Sequence, residues 1–143
     1  MAVLEQSQIR LSGTARTKEE AIAEAADILV AAGAVLPSYL DYMRLREEAV
    51  STYMGNFLAI PHGTNEGKDT ILDSALSFVR YDEPLDWGGE EVRFVVGIAG
   101  KEGGHMEILT KIAIVFSDED EVARLLDADS PEAVLDILGD INE

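Results

Sequence analysis

The segment from Val92 to Ala99 constrains the fold more than any other, being almost continuously apolar and rich in β-branched residues. Such a strand leaves no polar side for water, so it belongs inside a sheet with both faces covered. Two further runs supply neighbours. Phe57-Leu58-Ala59-Ile60 is a short apolar strand that stops at Pro61-His62-Gly63. From Ala75 to Tyr81, Leu76, Phe78 and Arg80 alternate against Ala75, Ser77 and Val79. A loop containing Pro84, Trp87, Gly88 and Gly89 is expected between the last of these runs and Val92. Ile9 and Leu11 mark a short first strand.

Helical patterns bracket this strand-rich middle. Thr17 and Glu20 have the spacing of a capping box. The helix that follows is expected to bury Ile22, Ala25, Ala26, Leu29 and Val30 and to end near Gly33. Pro37 suits the first turn of a second helix, with Leu40, Met43 and Leu45 inward. Gly103-Gly104 opens a helix to Phe116 whose apolar residues Met106, Ile108, Leu109, Ile112, Ala113, Val115 and Phe116 predict burial over most of its circumference. Ser117 with Asp120 caps a helix bearing Val122, Leu125 and Leu126. Ser130-Pro131 starts a last one bearing Val134, Leu135 and Leu138. Strands enclosed by helices in this order predict an α/β sandwich with helices on both faces of a central sheet. Periodicity does not decide whether that sheet is parallel or mixed. No repeat or linker divides the chain, so residues 1–143 read as one domain, with its core over about 9–138.

Composition narrows the chemistry. The chain has no cysteine, which excludes disulfide scaffolds, thiolate metal sites and cysteine nucleophiles. Its N-terminus lacks a basic stretch followed by an apolar run, and no apolar segment reaches the ~18 residues of a membrane span. A soluble, cytoplasmic chain without direct membrane insertion is expected. Eleven basic against 28 acidic residues give a formal charge of −17. That field repels nucleic acid and anionic membranes and attracts a basic protein partner, although it also serves solubility. Gly97-Ile98-Ala99-Gly100-Lys101-Glu102 is not a P-loop, because no Ser or Thr follows Lys101. Dinucleotide, Gly-x-Ser-x-Gly and His-Glu-x-x-His motifs are absent as well. The acidic run Ser117 to Glu121 lacks the ligand order of a calcium loop and reads as a helix N-terminus.

Two histidines remain. His62 ends an apolar strand between a proline and a glycine, which places an imidazole at the tip of a sheet where other atoms can approach the backbone. His105 follows two glycines at a helix start, where unpaired backbone N–H groups can bind an anion. A neutral imidazole is nucleophilic near pH 7, and a phosphoryl group mostly needs positioning and donors. Arg46 offers a guanidinium for a pair of phosphoryl oxygens; alternatively it is a solvated helix residue paired with Glu47 or Asp41. A metal site on His62 and His105 is a weak reading, since no acidic ligand pattern accompanies them. No cofactor is implied.

The blocks Arg46-Glu47-Glu48, Thr52-Tyr53-Met54-Gly55-Asn56 and Ala59-Ile60-Pro61-His62-Gly63 resemble the signature of the IIA components of the bacterial sugar phosphotransferase system, mannitol/fructose type. Gly97-Ile98-Ala99-Gly100 followed by His105-Met106-Glu107-Ile108-Leu109 is similar to that family's second histidine region. The resemblance implies a mixed central sheet. It also implies a phosphotransferase in which His62 accepts a phosphoryl group on Nε2 from the phosphorylated carrier protein HPr. His62 would then pass the group to the cysteine of a IIB domain serving a IIC membrane domain. By the same resemblance His105 hydrogen-bonds the phosphoryl group and Arg46 neutralises its charge. The Thr52–Asn56 block and the Phe94–Ala99 strand look mannitol-like. Some members carry an acidic residue where this chain has Asn56, so no role of that carboxylate transfers here. The other reading is a regulatory module, fructose-type or nitrogen-related, whose phosphorylation state controls protein partners.

Overall fold

In the computed structural model, which describes residues 3–101 and 104–142 apart from the side chains of His105 and Asp140, the apolar segment after Val92 lies inside a five-stranded sheet. It is β5 (Glu90–Ala99), and the strand order is β1-β4-β5-β3-β2. Here β1 is Ile9–Arg10, β2 Tyr53–Gly55, β3 Leu58–Ala59 and β4 Ala75–Trp87. The sheet is mixed: β1 runs parallel to β4 and β3 parallel to β5, while β4–β5 and β2–β3 are antiparallel.

Each face of the sheet carries its own core. Val79, Tyr81, Val95 and Ala99 pack against α1 (Lys18–Ala31) and α2 (Tyr39–Ala49). Leu76, Phe78, Phe94, Val96 and Ile98 pack against α3 (Gly104–Phe116), α4 (Glu119–Asp127) and α5 (Pro131–Leu138). Fixed ring geometry ties the second layer to the sheet. Phe94 lies 5.7 Å from Phe78 and meets Phe116 edge-on at 5.3 Å, an arrangement favoured by the ring quadrupoles. On the other face α1 comes close because Gly97 has no side chain; a Cβ there would stand 3.1 Å from that of Ala25.

Local signals explain most element ends. Thr17 Oγ1 accepts from Glu20 N–H at 3.2 Å, and the Glu20 carboxylate accepts from Arg16 N–H at 2.9 Å, one residue before the usual capping-box donor. Gly33, at φ 76°, ends the α1 region in the left-handed conformation that glycine adopts without a Cβ clash. Arg80 stays on the Leu76–Phe78 face, as alternation predicts. Its guanidinium donates to the carbonyls of Leu125, Leu126 and Ala128, where the C-terminal end of α4 favours a cation.

Five expectations change. The residues around Pro84 and Trp87 are not a loop: β4 runs through to Trp87, and Gly88 and Gly89 turn it directly into β5. β2 was not expected at all, being too short and too half-buried to show alternation. Pro37 precedes Ser38, the N-cap of α2, and Leu45 is exposed while Tyr39 is buried beside Met43. α3 buries one face only: Ile108, Ile112 and Phe116 are covered, whereas Met106 and Ile114 are about two-thirds exposed at 67% and 65%. The cap of α4 is Asp118, whose carboxylate accepts from Asp120 and Glu121 N–H, while the Ser117 hydroxyl donates back to Ile114 O. Gly103 lies outside the described residues.

One buried carboxylate fastens the β1–β4 edge. Glu24 accepts from the Tyr81 hydroxyl at 2.7 Å, from Arg10 Nη1 at 3.0 Å, and from Thr14 and Ala15 N–H at 3.2 Å each. Burial pushes this carboxyl up, but these donors together hold it below its ordinary value. Glu24→Ala strands four donors, and urea denaturation should show a loss of about 2–4 kcal/mol. The depressed value makes that loss full at neutral pH and smaller as pH falls through the carboxylate range.

Candidate functional site

β3 ends where Pro61 removes a donor from the ladder. The chain nevertheless stays beside β5. Ile98 N–H donates to Pro61 O at 3.0 Å, and His62 forms a parallel bridge with Ile98. The imidazole is thereby delivered to the C-terminal end of the sheet, half-buried. Its Nδ1 lies 2.8 Å from Ile60 O. A carbonyl only accepts, so Nδ1 carries the proton and the neutral ring holds its lone pair on Nε2. Burial pushes the His62 pKa down and the Arg46 charge pushes the same way; the bond to Ile60 and the Glu47 charge oppose them, and the net shift is downward. At neutral pH the ring is therefore uncharged, as a nucleophile must be.

Arg46 occupies the last turn of α2, and its Nη1 donates to Val50 O at 2.7 Å. Among the described ion pairs it is joined neither to Glu47 nor to Asp41. Its guanidinium is anchored at one nitrogen, and its charge reaches the His62 ring. His105 lies in the first turn of α3, which begins just beyond the end of β5. Its side chain is outside the described residues. The fold thus brings Arg46 and His62 into electrostatic contact and starts α3 at the same end of the sheet. Among the described residues no three His, Asp or Glu side chains are grouped as a metal site requires.

Two supporting side chains, and a third residue beside them, escaped sequence reasoning. Glu47 is buried and accepts from Thr52 N–H at 2.9 Å, from the Thr52 hydroxyl, and from Lys18 Nζ at 3.3 Å. Burial alone would raise this carboxyl; Thr52 and then Lys18 outweigh it and hold it low. Glu47 thereby ties the end of α2, with Arg46, to Thr52, the residue just before β2. Tyr39, 2% exposed at the start of α2, accepts from Gly63 N–H at 2.8 Å and donates to Ile98 O at 2.7 Å. Its ring also explains the glycine after His62, since a Cβ on Gly63 would lie 2.5 Å from Tyr39 Cε1. The third, Thr64, has a buried hydroxyl that finds no partner among the described residues. Of these only Glu47 had a sequence signal, its place beside Arg46; nothing at position 39 or 64 announced a site.

Similar proteins fit this geometry. The family model described as "Phosphoenolpyruvate-dependent sugar phosphotransferase system, EIIA 2" matches residues 2–141. A mannitol-specific phosphotransferase enzyme IIA component from Halalkalibacterium halodurans is 50% identical over 141 residues, 99% of this chain and 97% of that protein. The solution structure of enzyme IIAMtl in complex with phosphorylated enzyme IIBMtl from Escherichia coli superposes with a TM-score of 0.88 at 37% identity, covering 94% of this chain and 96% of that one. The nitrogen regulatory protein IIA-Ntr of Neisseria meningitidis gives 0.83 at 28% identity, covering 95% and 96%.

The depressed His62 pKa has two measurable consequences. An NMR titration should place its midpoint below the ordinary value of about 6.5; a midpoint at or above that value contradicts the buried, neutral ring. Because the unfolded ring takes up a proton first, stability should fall as pH drops below about 6.5 and level off under the folded midpoint. His62→Ala should remove that slope.

Proposed function

The chain belongs to the EIIA 2 family of the phosphoenolpyruvate-dependent sugar phosphotransferase system, and on that premise we propose that His62 is the residue on which it carries the phosphoryl group. It is a phosphotransferase that relays phosphate from HPr to a IIB domain. The sugar is mannitol: a mannitol-specific IIA component is 50% identical to this chain over 141 residues, against 28% for the nitrogen regulatory protein. No helix among the described residues is long and apolar enough to cross a membrane, and we place the protein in the cytoplasm, where HPr would meet it.

The observation that carries the assignment is the hydrogen bond from His62 Nδ1–H to Ile60 O. It leaves the Nε2 lone pair to attack the phosphorus of phospho-HPr. A P–N bond forms at Nε2 as the donor's P–N bond breaks, and that electron pair returns to the donor imidazole. In the second step the IIB thiolate attacks phosphorus, and the His62 ring departs neutral, still holding its Nδ1 proton. Arg46 stabilises the charge on the equatorial oxygens while the group passes between partners. His105 takes the hydrogen-bonding role that the family resemblance gives it. Apolar side chains exposed on the elements around this end of the sheet, Leu36, Leu72 and Met106 among them, give a partner something to cover. The −17 charge suits a basic HPr face and a fast encounter.

Incubation with enzyme I, HPr and phosphoenolpyruvate should add about 80 Da, one phosphoryl group, to the protein but not to His62→Ala. An adduct on that variant would sink the assignment. Arg46→Gln should slow acceptance from phospho-HPr about 10²-fold at unchanged stability. His105→Ala should still be phosphorylated but hand the group to IIB poorly; transfer at the wild-type rate would remove His105 from the mechanism.

A further inference from the structure

A parallel bridge is closed by two backbone bonds, one on each side of the bridged residue. At His62 the first is ordinary, from Ile98 N–H to Pro61 O at 3.0 Å. On the far side the rung joins Gly63 N–H to Ile98 O, and the Tyr39 hydroxyl bonds both of its groups, accepting from Gly63 at 2.8 Å and donating to Ile98 at 2.7 Å. The hydroxyl therefore braces the Gly63 peptide against β5 immediately after His62.

Tyr39 is 2% exposed, so its hydroxyl is not exchanging with bulk water. Its ring fills the space that a Gly63 side chain would take, with Cε1 only 2.5 Å from the ideal Cβ position. Side chain and backbone are thus matched on both counts, hydroxyl to peptide groups and ring to glycine.

We infer that Tyr39 is a positioning residue for phosphoryl transfer, its hydroxyl acting as a side-chain brace that sets the spacing between the Pro61–Gly63 segment and β5 and so the aim of the His62 ring. This rests on His62 being the phosphoryl acceptor. Without the hydroxyl, Gly63 N–H and Ile98 O each lose a hydrogen-bond partner, and the Pro61–Gly63 segment loses the brace that fixes it against β5. A relaxation of about 1 Å there carries His62 with it. A misplacement of that size at a reacting group costs on the order of 10²-fold in rate.

The test is Tyr39→Phe, which keeps the ring and removes only the brace. With phospho-HPr as donor in quenched-flow assays, kcat should fall by at least about tenfold while KM for HPr stays within about twofold. The His62 NMR titration should shift in the same variant. A folded Tyr39→Phe protein with wild-type kcat and an unmoved His62 titration overturns the inference. Should that variant fail to fold, Gly63→Ala presses on the same contact from the backbone side and should show the same loss in kcat. Amide exchange in the wild type gives a third reading: Gly63 N–H should be protected, and rapid exchange counts against the brace. Phosphorylation that persists in His62→Ala would instead overturn the acceptor assignment, while the titration in Tyr39→Phe would still report on positioning.

Discussion

β5 is covered on both faces, and the segment leading to His62 comes to the site only by pairing along it: Leu58 with Phe94, Ala59 with Val95, and past Pro61, His62 with Ile98. That pairing decides where the imidazole stands. It also decides what surrounds it, because α3 begins just beyond the C-terminal end of β5 and α2 lies across the sheet's other face. A shift of one residue in the β3–β5 register would turn His62 to the opposite face. The apolar demands of Leu58 and Ile60 on one face and Ala59 on the other oppose such a shift.

The site's electrostatics run against the charge of the whole. In a chain of net charge −17, a histidine would ordinarily be drawn toward protonation. His62 is kept neutral by burial and by the nearby Arg46 charge, against the Ile60 bond and the Glu47 charge. Glu47 is spent on Thr52 and Lys18. Under the proposed function a phosphoryl dianion would meet a cation and a neutral ring, and the acidic surface would attract a basic carrier.

The strand pattern and the histidine were legible in the sequence because each rests on local chemistry. Both-face burial of β5 shows in its unbroken apolar run, and the Pro-His-Gly turn shows in its backbone constraints. The hairpin through Trp87 was hidden because Pro84 reads as a break, yet β4 absorbs it at an irregularity of register between Arg80 and Leu85. β2 was hidden by its length. Tyr39 belongs to contacts made only after folding, being 24 residues from Gly63 and 59 from Ile98 along the chain. Gly63 carried half of that information, since it announced that something approaches the backbone. The sequence had no means of saying that the visitor is a tyrosine ring.

The central claim is a nitrogen-specific one: His62 is held with its proton on Nδ1 so that Nε2 takes the phosphoryl group. Nitrogen-15 NMR of the imidazole, before and after phosphorylation by HPr, tests it most directly. The account predicts a protonated Nδ1 in both forms and phosphorus–nitrogen coupling at Nε2 in the second. Coupling at Nδ1, or a phosphorylated protein whose His62 resonances do not change, would contradict it.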